Sequence, residues 1–203
     1  MSPERALLTI TEAVDGIRRA SDRHTVLIGI GGRGGSGKST LARLLRGSLP
    51  ESTVVELDDF YLPSDLRQRR RESGTGELGA DFDWRRLHDQ VLEPLSLGQE
   101  TQYQRYDWES DTMAEWHDVS PGGIVIVEGI YATRPELRAL YDLTIWVDAP
   151  RELRLERGLE RDGPEARGRW LEEWMPDEDR YVERTRAPDH VDLVVDGSGP
   201  IDV

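Results

Sequence analysis

Near the N-terminus, apolar residues recur at helical spacing, at Ala6, Leu7, Ile10, Val14 and Ile17, with polar residues between them. This periodicity predicts an amphipathic leading helix packed on the main body, with Ser2 as N-cap and Pro3 in the first turn. The pattern then changes. Residues 25–30 form a short apolar, β-branched run bounded by a glycine cluster, as expected of a buried strand. Helical spacing resumes over 41–49. A second strand is expected over 53–57, ending in Asp58-Asp59-Phe60-Tyr61.

Between 62 and 80, charge, glycine and serine predominate, and an irregular excursion is expected. Residues 84–95 read as a helix ending near Pro94, and 101–106 as a short strand. Pro121-Gly122-Gly123 is a turn into the most strongly apolar strand, 124–127, which stops at Glu128-Gly129. A short helix over 134–140, a strand over 143–147 and a helix over 151–161 follow. A polar break over 162–169, a helix over 170–184 and a strand over 191–195 complete the pattern. Strands alternating with helices predict an α/β sandwich: a parallel sheet covered on both faces, with right-handed crossovers and ligands at the carboxyl ends of the strands. With no internal repeat and no linker, a single domain over 1–203 is expected.

Composition excludes several classes. A chain of 203 residues suits one domain with a full core and a cleft. No apolar run approaches the ~20 residues of a membrane span, and the N-terminus lacks the profile of a secretory signal. No membrane partner and a cytoplasmic location are therefore expected. Without cysteine there is no disulfide framework and no thiolate metal site. The four histidines, His24, His88, His117 and His190, lack metal-ligand spacing. A formal charge of −14 argues against a nucleic-acid partner, which would require a basic surface. A homo-oligomer is compatible with all of this. Of 26 basic residues only Lys38 is lysine. A chain-wide bias toward arginine thus leaves a compact ammonium at one position, where its chemistry differs from a planar guanidinium.

That position lies in Gly32-Arg33-Gly34-Gly35-Ser36-Gly37-Lys38-Ser39, a G-x-x-x-x-G-K-[ST] phosphate loop between an expected strand and an expected helix. The glycines let successive N–H groups curl inward onto phosphate oxygens, and the following helix adds its unpaired N–H groups and positive end. Lys38 is suited to the β- and γ-phosphates, and the Ser39 hydroxyl to a Mg²⁺ position. Nucleotide binding follows from pattern and context together.

Two acidic strand ends bear on what happens to the terminal phosphate. A carboxylate in Asp58-Asp59-Phe60-Tyr61 could orient and deprotonate a hydroxyl acceptor, whereas an acceptor that is already a phosphate needs arginine instead. A solvated acidic turn or a helix cap is the rival reading. Arg67, Arg69, Arg70 and Arg71 follow soon after; they could bind an acceptor phosphate but read mainly as an exposed basic loop. Glu128, at the tip of a buried strand, can hold Mg²⁺ through its water shell; a structural acid is the alternative. Downstream, Arg154, Arg157 and Arg161 recur at helical spacing, and Arg167 and Arg169 fall in the polar break. Guanidinium groups closing over a moving phosphoryl group stabilise its charge. Glu152, Glu156 and Glu160 interleave, so a salt-bridged helix face competes with that role, most evenly for Arg154.

The ordered set of segments resembles the uridine kinase and phosphoribulokinase family of P-loop kinases. The resemblance runs from about Thr25 to Val195 and is carried by GGRGGSGKST, DDFY at 58–61, DFDW at 81–84, YDW at 106–108, IVIVEGIYA at 124–132, VDAPRELRLERGLERD at 147–162 and RGR at 167–169. It implies a P-loop NTPase fold, a five-stranded parallel sheet with a small helical lid near 157–172 and an acceptor-side excursion over 62–120. It also implies ATP and Mg²⁺ as cofactors and a small alcohol, most typically a nucleoside, as acceptor. Gly32, Gly34, Gly35, Ser36, Gly37, Lys38, Ser39 and Thr40 would hold the nucleotide with Arg157 and Arg167. Lys38, Asp58 and Arg161 would be catalytic, with Asp58 as base. Tyr61, Asp83, Tyr106 and Trp108 would join Asp58 around the acceptor, and Ser39 and Glu128 would stand near the metal. The chain departs from the family pattern where a histidine is expected near Asp111, at the aromatic Trp108, and at Arg157-Gly158, where an arginine pair is expected. Those departures bear chiefly on the pocket that would read a base.

Overall fold

The structure is a computed structural model and describes residues 3–20, 25–74 and 77–199. The leading helix α1 (Pro3–Ala20) packs through Ala6, Ile10 and Val14, as its periodicity predicts. Its expected N-cap, Ser2, lies outside the described residues, as does His24. Strand β1 (Thr25–Gly32) is buried along its whole length and leads into helix α2 (Lys38–Ser48). Strand β2 (Ser52–Glu56) follows, then a short 3₁₀ turn over Leu57–Phe60.

Here the structure departs from the expected irregular excursion. Ser64–Glu72 forms a helix, α3, with no buried residue. Its sequence, mostly charged with Leu66 as its one apolar residue, offers no apolar stripe, so periodicity gave no signal. Residues 84–96 form a second helical run, α4, with a π turn at His88–Leu92. The expected end near Pro94 is instead a widened turn. Proline has no N–H for the carbonyl of Gln90 and crowds it; that carbonyl accepts from the Thr101 hydroxyl instead. Strand β3 (Thr101–Asp107) pairs antiparallel with β4 (Thr112–Val119) in a separate two-stranded sheet. β4 was not legible beforehand, since only Val119 of its residues is buried and polar and apolar positions do not alternate along it.

Strand β5 (Gly123–Glu128) and strand β6 (Leu143–Asp148) are almost wholly buried. Between them the expected helix over 134–140 is a set of turns ending in a 3₁₀ segment, Arg138–Leu140. Helix α5 (Arg151–Asp162) stops at Gly163, whose φ of 88° an L side chain rarely adopts. A short 3₁₀ segment, Pro164–Ala166, leads into helical run α6 over 167–185, with a π turn at Trp170–Trp174 before Pro176. The polar break is thus shorter than expected, and Arg167 and Arg169 begin a helix. Strand β7 (Leu193–Asp196) closes the chain's pattern.

The main sheet has five parallel strands in the order β2-β5-β1-β6-β7. Val26, Ile28 and Ile30 of β1 face a layer built with α1 and α2, while Leu27 faces the other, with Val127, Trp146 and Tyr181. On Leu27's face β1 continues with Gly29 and Gly31. A Cβ there would stand 2.9 Å from the Tyr141 ring and 2.1 Å from Thr133 Oγ1, respectively. Gly31→Ala is therefore expected to lower stability by about 1–3 kcal/mol, the usual cost of overpacking a filled core, read as a lower urea midpoint at unchanged slope. No helix among the described residues is long and apolar enough to cross a membrane.

Candidate active site

The carboxyl ends of β1, β2 and β5 meet at one edge of the sheet. Ile30 and Glu56 both pair with Glu128, which brings the phosphate loop and the two acidic strand ends to the same level. The loop turns through Gly35 (φ 73°) and Gly37 (φ 101°), and α2 starts at Lys38. A Cβ on Gly32 would meet the Val147 carbonyl at 2.4 Å, and one on Gly35 the Arg154 carbonyl at 2.4 Å. Only glycine lets the backbone run so close to its supports.

Lys38 is 8% exposed, and its Nζ donates to the carbonyl of Arg33 at 3.1 Å. Ser36 Oγ is buried with no hydrogen-bond partner among the described residues. A buried hydroxyl and a buried ammonium beside a helix N-terminus suit the oxygens of a phosphate chain. Ser39 is exposed at the start of α2, and the Thr40 hydroxyl accepts from Arg43 at 3.3 Å.

Four charges from four elements face one gap. Asp58, in the 3₁₀ turn after β2, is open to solvent yet hemmed in by protein. That crowding raises its pKa, and the neighbouring Glu128 carboxylate raises it further; Lys38 and Arg161 oppose both. Glu128 is 6% exposed at the end of β5. Two carboxylates that repel one another are hard oxygen donors of the kind Mg²⁺ takes. The adjacent Asp59 is turned elsewhere, accepting from the Tyr103 hydroxyl at 2.9 Å.

The arginines separate into distinct places. Arg161 is bound by Asp162 through two contacts, at 2.7 and 3.0 Å. Arg157 does not stand free over the loop. It donates to the carbonyls of Gly197 at 2.7 Å and Gly35 at 3.4 Å. Arg167 is not brought to the gap. It lines a surface hollow with Glu152, Leu155, Glu156, Leu159 and Glu160, on the face of α5 opposite Arg154, Gly158 and Arg161. The expectation that Arg167 holds the nucleotide is corrected to that extent: the Gly163 turn sends it to the outer side. Arg154 is the structural alternative realised, buried and paired with Glu178 at 3.2 Å beneath the loop.

The acceptor side is held to Asp58 by backbone. Leu62 N–H donates to Asp81 O, and Asp83 N–H to Phe60 O, so the segment around 81–83 lies along 60–62. Tyr61 stacks on Trp108 at 4.4 Å between ring centroids, with Tyr106 at 5.5 Å. Asp83 caps α4, accepting from Arg86 N–H at 3.4 Å, and pairs with Arg70 at 3.4 Å. Four residues to which the sequence reading gave no assigned role here complete the cluster. The Arg67 guanidinium lies 4.5 Å from the Tyr61 ring centroid and pairs with Asp111 at 3.5 Å. Asp111 accepts from the Tyr106 hydroxyl at 2.5 Å, and Asp81 from Tyr61 at 3.3 Å and Arg71 at 2.9 Å. Arg67, Arg70 and Arg71 are thus not simply an exposed loop. Their i, i+3, i+4 spacing was the available sign that they share a helix face.

Comparison with known proteins bears on the family and the fold. The profile of the phosphoribulokinase / uridine kinase family matches residues 27–196. A uridine kinase of Halobacterium salinarum is 32% identical over 182 residues, covering 83% of this chain and 78% of the relative. A uridine kinase of Staphylococcus aureus is 30% identical over 188 residues, covering 86% and 89%. Among solved structures, a possible uridine kinase from Bacillus stearothermophilus superposes with a TM-score of 0.65 at 22% identity, covering 93% of this chain and all of that one. At that identity the match speaks for the fold.

Proposed function

The chain belongs to the phosphoribulokinase / uridine kinase family, and from that premise we propose that it transfers the γ-phosphate of ATP to a primary hydroxyl of a small molecule, with a nucleoside as the leading acceptor. The observation that carries this reading is the strand register, in which Ile30 before the phosphate loop and Glu56 just before Asp58 both pair with Glu128, and Lys38 and Arg161 act electrostatically on Asp58. The acceptor hydroxyl oxygen attacks the γ-phosphorus while its proton passes to Asp58. The bond from that phosphorus to the bridging oxygen breaks, and ADP leaves. Lys38 and Arg161 meet the charge spread over the moving group. Ser39 and Glu128 would hold Mg²⁺, which supplies charge neutralisation on the phosphate oxygens. The raised proton affinity of Asp58 suits a base, and its openness to solvent suits a group that must be reached by an incoming alcohol.

A second reading, a smaller alcohol as acceptor, draws on the crowding of the aromatic cluster. Trp108 is already stacked on Tyr61, Arg67 lies over the same ring, and Asp111 engages Tyr106. A coupled ADP-release screen with Mg-ATP separates the readings, using uridine, cytidine, pantothenate, nicotinamide riboside and sugar alcohols. Release stimulated by uridine, cytidine or nicotinamide riboside, all nucleosides, supports the first reading, and release stimulated only by pantothenate or a sugar alcohol supports the second. ADP formed at one rate with and without every acceptor would instead indicate a simple ATPase.

A further inference from the structure

Two glycines on different elements share one neighbour. A Cβ on Gly158 of α5 would stand 2.4 Å from Cζ2 of Trp170, and a Cβ on Gly34 of the phosphate loop 2.9 Å from its Cη2. The indole of Trp170 therefore fills a slot between α5 and the loop and is 1% exposed. No side chain at 158 could coexist with it in this position. At its polar edge the indole Nε1 donates to Asp162 Oδ2 at 2.9 Å. The same carboxylate receives Nε and Nη2 of Arg161 at 2.7 and 3.0 Å. One acid thus ties a ring lying on the phosphate loop to the guanidinium that faces Asp58.

The physical consequence concerns order. Arg161 carries a long, exposed side chain, and a lone exposed arginine spreads over many rotamers. A two-point bond to Asp162 selects one, and the Trp170 hydrogen bond selects the carboxylate orientation that makes it. If the ring shifts on the loop, the arginine shifts with it. We propose that Trp170 and Asp162 are positioning residues that set the placement of Arg161 according to the state of the phosphate loop. The inference rests on the reading of Arg161 given above, as a group that meets the transferred phosphoryl.

The test is a set of double-mutant cycles on nucleotide discrimination, read by calorimetry without any acceptor. The probes are Mg-ADP and the non-hydrolysable β,γ-imido analogue of ATP. Arg161→Ala is expected to reduce the preference for the triphosphate about tenfold, the scale of one charge-assisted contact. Trp170→Phe, which keeps a ring in the slot but removes the N–H, and Asp162→Asn are each expected to reduce it roughly three- to fivefold. In the Arg161→Ala background neither should have any further effect, because the group they position is gone. Additive losses in that background would overturn the proposal, as would a lowered melting temperature with unchanged discrimination, since both mark plain packing. Should Arg161→Ala itself leave discrimination intact, the role given to Arg161 fails and the positioning inference falls with it. Intact discrimination in Arg161→Ala alone thus marks failure of the underlying reading, while additivity marks failure of the inference.

Discussion

Lys38→Ala is expected to bring phosphoryl transfer below detection, with a loss of at least about 10³ in kcat on the scale seen when a preorganised charge donor is removed. Lys38 is the only lysine of the chain. Its ammonium is held at 3.1 Å by the Arg33 carbonyl and is felt by Asp58 on one side and Glu178 on the other. Truncation removes the ammonium those carboxylates share: Glu178 keeps Arg154, but Asp58 and Glu128 are left with only Arg161 opposing them at the place where a triphosphate must bind. Affinity and turnover should therefore fall together. Lys38→Arg should not rescue, because a planar guanidinium cannot occupy a loop closed around a compact ammonium. The check is the coupled ADP assay with the best acceptor found, together with Mg-ATP titration. Retention of a tenth of wild-type turnover by either variant would contradict the role.

Asp58→Asn is expected to lower kcat by about 10² to 10⁴, the usual loss on removing a general base, while the KM for ATP moves by no more than about threefold. Stability should move the other way. Crowding and the Glu128 carboxylate raise the pKa of Asp58 in the folded protein, so its ionised form is disfavoured there relative to the unfolded chain. The stability linked to this group is fully present at acid pH and is lost as pH rises through the folded pKa. At neutral pH, asparagine removes that penalty, and the melting temperature should hold or rise as turnover collapses. Such opposition between activity and stability is expected where a strained charge does chemistry. Asp59→Asn is the internal comparison. Its carboxylate is occupied by Tyr103, so it should leave kcat within a few-fold of wild type. Equal losses at 58 and 59 would disprove the assignment of the base.

What could be read beforehand tracks the distance over which each feature is decided. The phosphate loop is built within eight consecutive residues from glycines, one lysine and a helix start, so local chemistry specifies it. Three of the five parallel strands were legible for a related reason: strands buried on both faces must be largely apolar, and β1, β5 and β6 are. The exposed hairpin strand β4 and the charged helix α3 escaped notice. They bury little, and burial is what writes periodicity into a sequence.

By itself, then, the sequence determined a nucleotide-gripping loop, an α/β sheet to carry it and two acidic strand ends beside it. Only the tertiary structure decided which acids and arginines share the gap. Asp58 faces it while Asp59 turns to the hairpin, and Arg161 reaches it while Arg167 falls on the far side of α5. It also joined Gly34, Gly158 and Trp170 into one slot. The reason is geometric. A backbone motif carries its own donors in sequence order, whereas the aim of a long side chain is set by neighbours that lie far away along the chain and meet only after the sheet and helices have packed.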